Sequence, residues 1–101
     1  MFCRVHEKPY ADGTVRRVVA VCDAELLGKK FSSGERVLDL KTYRSFYEGA
    51  RASEERVFEL LKGCTNANLV GKKSVACGVK VYGRASPAKI GGVPVLQVFK
   101  A

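Results

Sequence analysis

The sequence predicts an α+β fold: a single small compact domain with an N-terminal β-hairpin, short helices and a C-terminal strand. Three observations support this prediction. Two strand-like segments near the N-terminus flank an Asp-Gly pair, which is a strong hairpin signal. A central segment has the apolar spacing and both end signals of a helix, and a strand pattern lies near the C-terminus. Because 101 residues is the length of one domain, we assign residues 1–101 to it.

The N-terminal hairpin pairs a strand over residues 2–7 with a valine-rich strand over residues 15–22. Asp12-Gly13 suits a two-residue turn, because both residues tolerate a positive φ. With that turn, Cys3 lies opposite Cys22, and the Cα atoms of such a pair are about 5.5 Å apart. This separation allows a disulfide between Cys3 and Cys22. The alternative is two buried free thiols.

The segments after the hairpin predict shorter elements. Asp23 is placed as the N-cap of a short helix over residues 24–27, which Gly28 ends. A loop over residues 29–34 then leads into a third strand over residues 36–40. The aromatic stretch that follows fits no single element.

The clearest helix spans residues 54–62. Ser53 is its N-cap, two glutamates follow at the positive end of the helix dipole, and Lys62 lies near the negative end. A shorter helix is predicted over residues 72–77, with Gly78 as its stop. Residues 93–99 have the composition of a final strand.

The charge of the chain is concentrated in its C-terminal part. Residues 60–101 contain seven lysines and arginines and no Asp or Glu, whereas residues 1–59 are nearly neutral. Such a basic field attracts polyanions, because binding releases their condensed counterions. Nucleic acid is therefore the leading candidate partner, and a solvated basic surface is the alternative.

Within this basic segment, Lys72 and Lys73 follow a glycine at a predicted helix start, where backbone N–H groups can hold a phosphate. Tyr82 lies between Lys80 and Arg84, a mixture that suits single-stranded RNA because aromatic faces stack on bases. The predicted nucleic-acid-binding residues are Lys72, Lys73, Lys80, Tyr82, Arg84 and Lys89. In the alternative, Tyr82 packs in the core.

The sequence offers little for metal binding or catalysis. The four cysteines form no Cys-x-x-Cys pair, and Cys3 and His6 would point to opposite faces of a strand. His6 is the one histidine, and in a hairpin it is more typical of a packed or surface residue than of a catalytic base. We therefore predict no metal, no cofactor and no catalytic residues. Asp23 or Glu25 beside the cations leaves one alternative, an enzyme acting on a phosphorylated substrate.

Several features favour a cytoplasmic protein of a thermophile with no membrane partner. The apolar runs are too short to span a bilayer, and the N-terminus has no signal-peptide pattern. Four cysteines are unusual in a short cytosolic chain, but intracellular proteins of hyperthermophiles are a known exception. The chain has only two Asn and one Gln, and depletion of these thermolabile residues marks hot-adapted proteins.

Several motifs, in order over nearly the whole chain, resemble one family. They are Val19-Ala20-Val21-Cys22-Asp23 with Glu25-Leu26-Leu27-Gly28-Lys29 and Phe31, Phe46-Tyr47-Glu48-Gly49, Asn68-Leu69-Val70-Gly71, and Ile90-Gly91-Gly92-Val93-Pro94 with Gln97. Together they resemble the archaeal domain-of-unknown-function family 424. The resemblance implies an archaeal cytosolic protein and suggests an association with the translation machinery. No catalytic residues are assigned in the family, so it implies none here.

Three functions follow from these observations. The first is a non-enzymatic basic RNA-binding module of the archaeal cytosol, associated with translation, whose partner is RNA or a ribonucleoprotein. The second is a protein-interaction or structural adaptor that would bind a protein partner through the aromatic middle segment, if those aromatic residues are exposed. The third is the phosphorylated-substrate enzyme. The aromatic residues concerned are Phe31, Tyr43, Phe46 and Tyr47.

Overall fold

The computed structural model describes residues 1–64, 66–83 and 87–99. The strands within this part of the chain are β1 (Phe2–Pro9), β2 (Val15–Cys22), β3 (Lys30–Ser33), β4 (Arg36–Asp39), β5 (Ala50–Arg51), β6 (Asn66–Val70), β7 (Ala88–Ile90) and β8 (Val93–Phe99). The helices are α1 (Arg44–Tyr47), α2 (Glu54–Lys62) and α3 (Lys72–Tyr82), and a 3-10 helix covers Ala24–Leu26.

Six strands form one mixed sheet in the order β5-β1-β2-β6-β8-β7, and β3 and β4 form a separate hairpin. Neighbouring strands of the sheet are antiparallel except β2 and β6, which are parallel. A parallel pair needs a long crossover connection, and the chain between β2 and β6 supplies it, with α2 as its last element. The predicted α+β class is confirmed.

One face of the six-stranded sheet, called here the covered face, packs against α2 and α3. Side chains that alternate along the strands point to this face, and they bury the main apolar core of the protein. The strands contribute Cys3, Val19, Val21, Ala67, Leu69 and Leu96. The helices, with Cys64 two residues beyond α2, contribute Val57, Leu61, Cys64, Val75 and Cys77.

The opposite face, called here the open face, is covered at one end. There the ends of β2 and β6 and the start of β8 pack with Leu40 against the 3-10 helix and the β3–β4 hairpin. Further along β1, α1 covers His6, whose ring stacks on Phe46 with 4.3 Å between the ring centroids. The rest of this face carries no helix among the residues that the structure describes.

The turn of the N-terminal hairpin holds three residues, whereas the sequence analysis predicted two. Tyr10 pairs with Thr14, where a two-residue turn would pair Ala11 with Thr14, and the Tyr10 N–H donates to the Thr14 carbonyl at 2.8 Å. Gly13 takes a φ of 87°, as the last residue of such a loop requires. Asp12 accepts hydrogen bonds from the Thr14 N–H at 3.0 Å and from its hydroxyl at 2.6 Å. The additional loop residue shifts the register of the two strands by one position.

This register makes the predicted Cys3–Cys22 disulfide wrong. Cys3 lies opposite Val21, and Cys22 lies opposite Phe2. Because a shift of one residue moves a side chain to the other face of a sheet, Cys3 lies on the covered face and Cys22 on the open face. All four cysteines are within the described residues, and each is a buried free thiol.

The two longer helices differ in how well the sequence predicted them. The bounds of α2 are confirmed, and the Ser53 hydroxyl accepts a hydrogen bond from the Arg56 N–H at 3.2 Å. In contrast, α3 continues through Gly78, which was expected to end it. Gly78 is buried where the helix approaches the sheet, and an added Cβ would overlap the Leu69 side chain. Gly78 therefore serves close packing, and the predicted stop there is wrong.

Strand prediction was least complete in the second half of the chain. The strand over residues 93–99 is confirmed as β8, and residues 36–40 are largely confirmed as β4. β3, β5, β6 and β7 were not predicted, and β3 occupies the predicted loop over residues 29–34. β6 nevertheless pairs with two neighbours in the sheet. Within the ranges given above, no helix is long and apolar enough to cross a membrane.

Candidate nucleic-acid interface

Asp23 joins the end of β2 to the start of α3. Its side chain is 2% exposed, and its carboxylate accepts hydrogen bonds from the Lys73 N–H at 3.0 Å and from the Ser74 N–H and hydroxyl at 2.8 and 2.7 Å. Asp23 is the N-cap residue of the 3-10 helix, as predicted, but its side chain makes no hydrogen bond to that helix. Gly71, with a φ of 105°, makes room for the carboxylate, which an added Cβ would overlap.

This cap changes the phosphate site predicted at the start of α3. The N–H groups of Lys73 and Ser74 that would hold a phosphate already bind Asp23. Lys72, Lys73 and Lys80 are all exposed on α3. Lys73 and Lys80, two turns apart, share one face of the helix, whereas Lys72 is turned by about 100° from Lys73. The Lys80 ammonium group lies 5.8 Å from the centroid of the Phe58 ring on α2.

The other predicted binding residues are placed differently. Lys89 is exposed on the edge strand β7, opposite Pro94 and on the side of the covered face. Tyr82 packs half-buried against the core, and its hydroxyl donates to the Leu61 carbonyl at 2.7 Å. Burial raises the pKa of Tyr82. Tyr82 thus anchors the end of α2. The last predicted binding residue, Arg84, lies outside the described residues.

A different surface has the features of a binding site. A groove of about 350 Å³ crosses the uncovered part of the open face, over β2, β6 and β8. Its side chains come from the hairpin turn, β2, β6 and β8, so the sheet register positions them. They are Tyr10, Arg16, Val18, Asn66, Asn68, Gln97 and Phe99, together with Ala67 and Val98 in the walls.

The groove contains every side-chain amide of the chain, since the sequence has two Asn and one Gln. Asn68 lies directly opposite Gln97 in the β6–β8 ladder, and Asn66 lies opposite Phe99. Residues opposite each other in an antiparallel pair have Cβ atoms about 4.5–5.5 Å apart. The three amides and the Phe99 ring therefore form one contiguous patch.

Two aromatic rings line this groove. Phe99 is 77% exposed and Tyr10 is 41% exposed. The Arg16 guanidinium lies 5.0 Å from the centroid of the Tyr10 ring, and the Lys8 ammonium lies 5.8 Å from it. These cation–π contacts hold positive charge beside one end of the groove.

The strand residues of the open face carry cations but, within the described part of the chain, no acidic side chain. In the described strands of the six-stranded sheet, the register places Arg4, Lys8, Arg16 and Arg51 on this face and neither Asp nor Glu. A second groove of about 290 Å³ continues from Gln97 toward Arg36 of the β3–β4 hairpin. Cations therefore lie at both ends of a path across the strands.

The sequence contains a signal for this surface that the charge pattern does not reveal. Asn66-x-Asn68 and Gln97-x-Phe99 each place two side chains on the same face of a strand. The positive charge was sought in the C-terminal segment, where lysines are frequent. The cations on the open face come from β1, β2, β5 and the small hairpin, which all lie within the nearly neutral residues 1–59.

The other candidate sites have fewer features of a binding site. Of the aromatic residues in the middle segment, Tyr43 is 64% exposed, whereas Phe31, Phe46 and Tyr47 are half-buried. A cleft of about 290 Å³ beside α3 includes the exposed Glu25 along with Lys72 and Lys73. Across residues 1–64, 66–83 and 87–99, no three His, Cys, Asp or Glu side chains are grouped to hold a metal.

The fold and this surface define a small α+β protein whose mixed sheet has helices on one face and a cationic, amide-rich and aromatic groove on the other. The chain belongs to the family described as "Protein of unknown function (DUF424)", whose model matches residues 12–100. An uncharacterized conserved protein from Methanopyrus kandleri has a similar crystal structure, with a TM-score of 0.77 and 21% sequence identity. The match covers 99% of this chain and 92% of that one. No curated protein sequence matches the chain.

Proposed function

We propose that this protein is a non-enzymatic module that binds single-stranded RNA across the open face of its sheet. The observation that carries the proposal is the composition of that face. Two exposed aromatic rings, three amides and several cations occupy it, and its described strand residues include no carboxylate.

The two aromatic residues support binding of unpaired bases. A base that stacks on an exposed ring gains about 1–3 kcal/mol, and Phe99 and Tyr10 lie at the boundary of one groove. In a duplex the base faces are already stacked on each other, so these rings would have nothing to stack on. The surface therefore favours single strands.

The cations support binding of the phosphate backbone. Lys8 and Arg16 stand at one end of the path and Arg36 at the other. An RNA strand that crosses the sheet between these residues would have phosphates near positive charge at both ends. The overall net charge of +8 adds long-range attraction for any polyanion.

We place this module in the archaeal cytosol and in association with translation, where single-stranded RNA is abundant. Family membership and the similar fold of the Methanopyrus kandleri protein support the archaeal part of this proposal. The exposed lysines of α3, Lys72, Lys73 and Lys80, form a second basic surface. It competes with the open face as the RNA-binding surface.

Fluorescence anisotropy of labelled single-stranded RNA, titrated over a range of salt concentrations, tests the proposal. We expect affinity to fall steeply with salt, with a slope of about −0.7 for each phosphate contacted. Lys8→Glu with Arg16→Glu should weaken binding by about tenfold or more and reduce the slope by about 1 to 2.

The matched control is Lys72→Glu with Lys73→Glu, which changes the net charge by the same amount on the covered side. A smaller effect of this pair places the RNA on the open face. A larger effect moves the binding surface to α3. If the unmodified protein binds no RNA at low salt, the proposal fails, and a protein partner becomes the next candidate.

A further inference from the structure

We infer that the amide patch in the groove is a base-reading site that prefers nucleobases with an exocyclic amino group, namely adenine, cytosine or guanine, over uracil. This inference rests on the proposed RNA binding and adds the chemistry of the ligand. The site consists of Asn66, Asn68 and Gln97 beside the Phe99 ring.

The first argument is the arrangement of the amides. Asn68 and Gln97 are ladder partners, and Asn66 is two residues from Asn68 on the same face. A base stacked on Phe99, the partner of Asn66, would have its edge within reach of these side chains. Each amide offers one carbonyl acceptor and two N–H donors, so the patch can pair with a base edge.

The second argument is unused hydrogen-bonding capacity. The Asn66 side-chain oxygen is buried and has no hydrogen-bond partner in the described part of the chain. Leaving a buried acceptor unpaired costs about 1–3 kcal/mol. Asn66 lines the groove, so a small reorientation of its side chain would let a ligand donor supply the missing bond.

The third argument is the number of donors that a base provides. An exocyclic amino group carries two N–H bonds and can donate to two amide oxygens at once. Uracil has no amino group, and its base edge offers a single N–H. A patch of three amides with an unpaired oxygen is therefore better satisfied by adenine, cytosine or guanine. No carboxylate among the described groove residues competes for these donors.

The test compares oligoadenylate with oligouridylate of equal length, by anisotropy at constant salt. The protein should prefer oligoadenylate by about fivefold, the equivalent of one neutral hydrogen bond. Asn66→Leu and Gln97→Met, which keep the approximate side-chain size and remove the amide, should reduce this preference toward equal binding. The control Lys8→Ala should weaken both oligomers by the same factor.

Free adenosine and uridine provide a second readout that does not depend on the RNA backbone. The chain has only three side-chain amides, and all lie in this groove, so a ¹H–¹⁵N spectrum has three NH₂ pairs that report directly on it. Single substitutions assign each pair. Adenosine should shift these resonances more than uridine does.

The outcomes separate the two claims. If RNA binds but the variants change both oligomers equally, and adenosine leaves the NH₂ resonances unmoved, the base-reading site is overturned while RNA binding stands. If no oligomer binds, the proposed function fails. The response of the NH₂ resonances to adenosine then still decides whether the groove binds a base.

Discussion

The two faces of the six-stranded sheet are built from the same strands but have opposite chemistry. On β6, Leu69 points to the covered face and is fully buried, whereas its neighbour Asn68 points to the groove. On β8, Leu96 is buried and Gln97 is exposed. Alternation along a strand thus separates a packed core from a polar surface only one residue away.

The difference shows where this chain uses its rare polar side chains. Where α2 and α3 pack on it, the covered face carries aliphatic residues and thiols. All the amides lie on the open face. A helix there would leave these amides without water or partners, so the open face is suited to a polar ligand. Each prediction below tests this contrast between packing and binding.

The largest predicted effect is the difference in stability between the Leu69→Ala and Phe99→Ala variants. Removing a buried leucine leaves a cavity, and we expect it to lower the free energy of unfolding by about 3 kcal/mol. Phe99 is 77% exposed, so its truncation should change stability by about 0.5 kcal/mol or less. Urea unfolding measures both. A large loss of stability for Phe99→Ala would contradict its assignment to a binding surface.

The next effect concerns Asp23, which connects the sheet to α3. Asp23→Ala removes a buried carboxylate with three hydrogen bonds, and we expect a loss of about 2 kcal/mol in the free energy of unfolding. The Asp23→Asn variant should lose less stability, because its side-chain carbonyl still accepts a hydrogen bond. Glu25→Ala is the control, since Glu25 is exposed. Equal stabilities of the Asp23→Ala and Glu25→Ala variants would show that the cap is not needed.

A smaller effect is expected at Gly78, where α3 contacts the covered face. Alanine favours a helix interior over glycine by about 1 kcal/mol, but the added Cβ would overlap Leu69 and lie 3.0 Å from Leu96. Overpacking costs about 1–3 kcal/mol, so Gly78→Ala should be destabilising by about 1 kcal/mol. Gly63→Ala, where a Cβ meets no described atom within 4 Å, should be nearly neutral. A stabilising Gly78→Ala would mean that α3 packs less closely.

The last effect is absent near neutral pH: a dependence of stability on alkaline pH, which arises at the covered end of the open face. Burial, with a contribution from the Asp23 charge, raises the pKa of Cys22 from 9.0 to about 12. Burial likewise raises the pKa of Tyr47 from 10.0 to about 12. The unfolded chain therefore loses these protons first, so the free energy of unfolding should fall as pH rises from about 9 to about 12. Cys22→Ala should reduce this slope in urea unfolding at several pH values, and an unchanged slope would exclude Cys22 as its cause.

Local signals were sufficient for several elements. Ser53, the two glutamates and the apolar spacing specified α2 within its own segment, because capping and helix periodicity act over a few residues. Gly78 misled the prediction, because its role depends on the distance between α3 and the sheet. β6 was missed because its polar residues lack the composition of a strand, and only pairing with β2 and β8 explains them.

The candidate site was less accessible from the sequence than the fold. The predicted lysines were chosen from charge along the chain. Lys72, Lys73 and Lys80 lie on α3, and Lys89 lies on the edge strand β7. Tyr82 proved to anchor α2. The groove could not be assembled from the sequence, because its residues come from positions as distant as Tyr10 and Phe99.

The sequence by itself determined the α+β class, the N-terminal hairpin, α2, the last strand and the excess of positive charge. These follow from composition and from patterns that span a few residues. The tertiary structure alone decided which cysteines share a face, where the Asp23 carboxylate binds and which polar residues form the groove. One additional residue in the hairpin turn places Cys3 and Cys22 on opposite faces of the sheet, where the sequence predicted a facing pair. Strand register and helix packing are set by contacts between distant segments, and a short sequence window does not contain them.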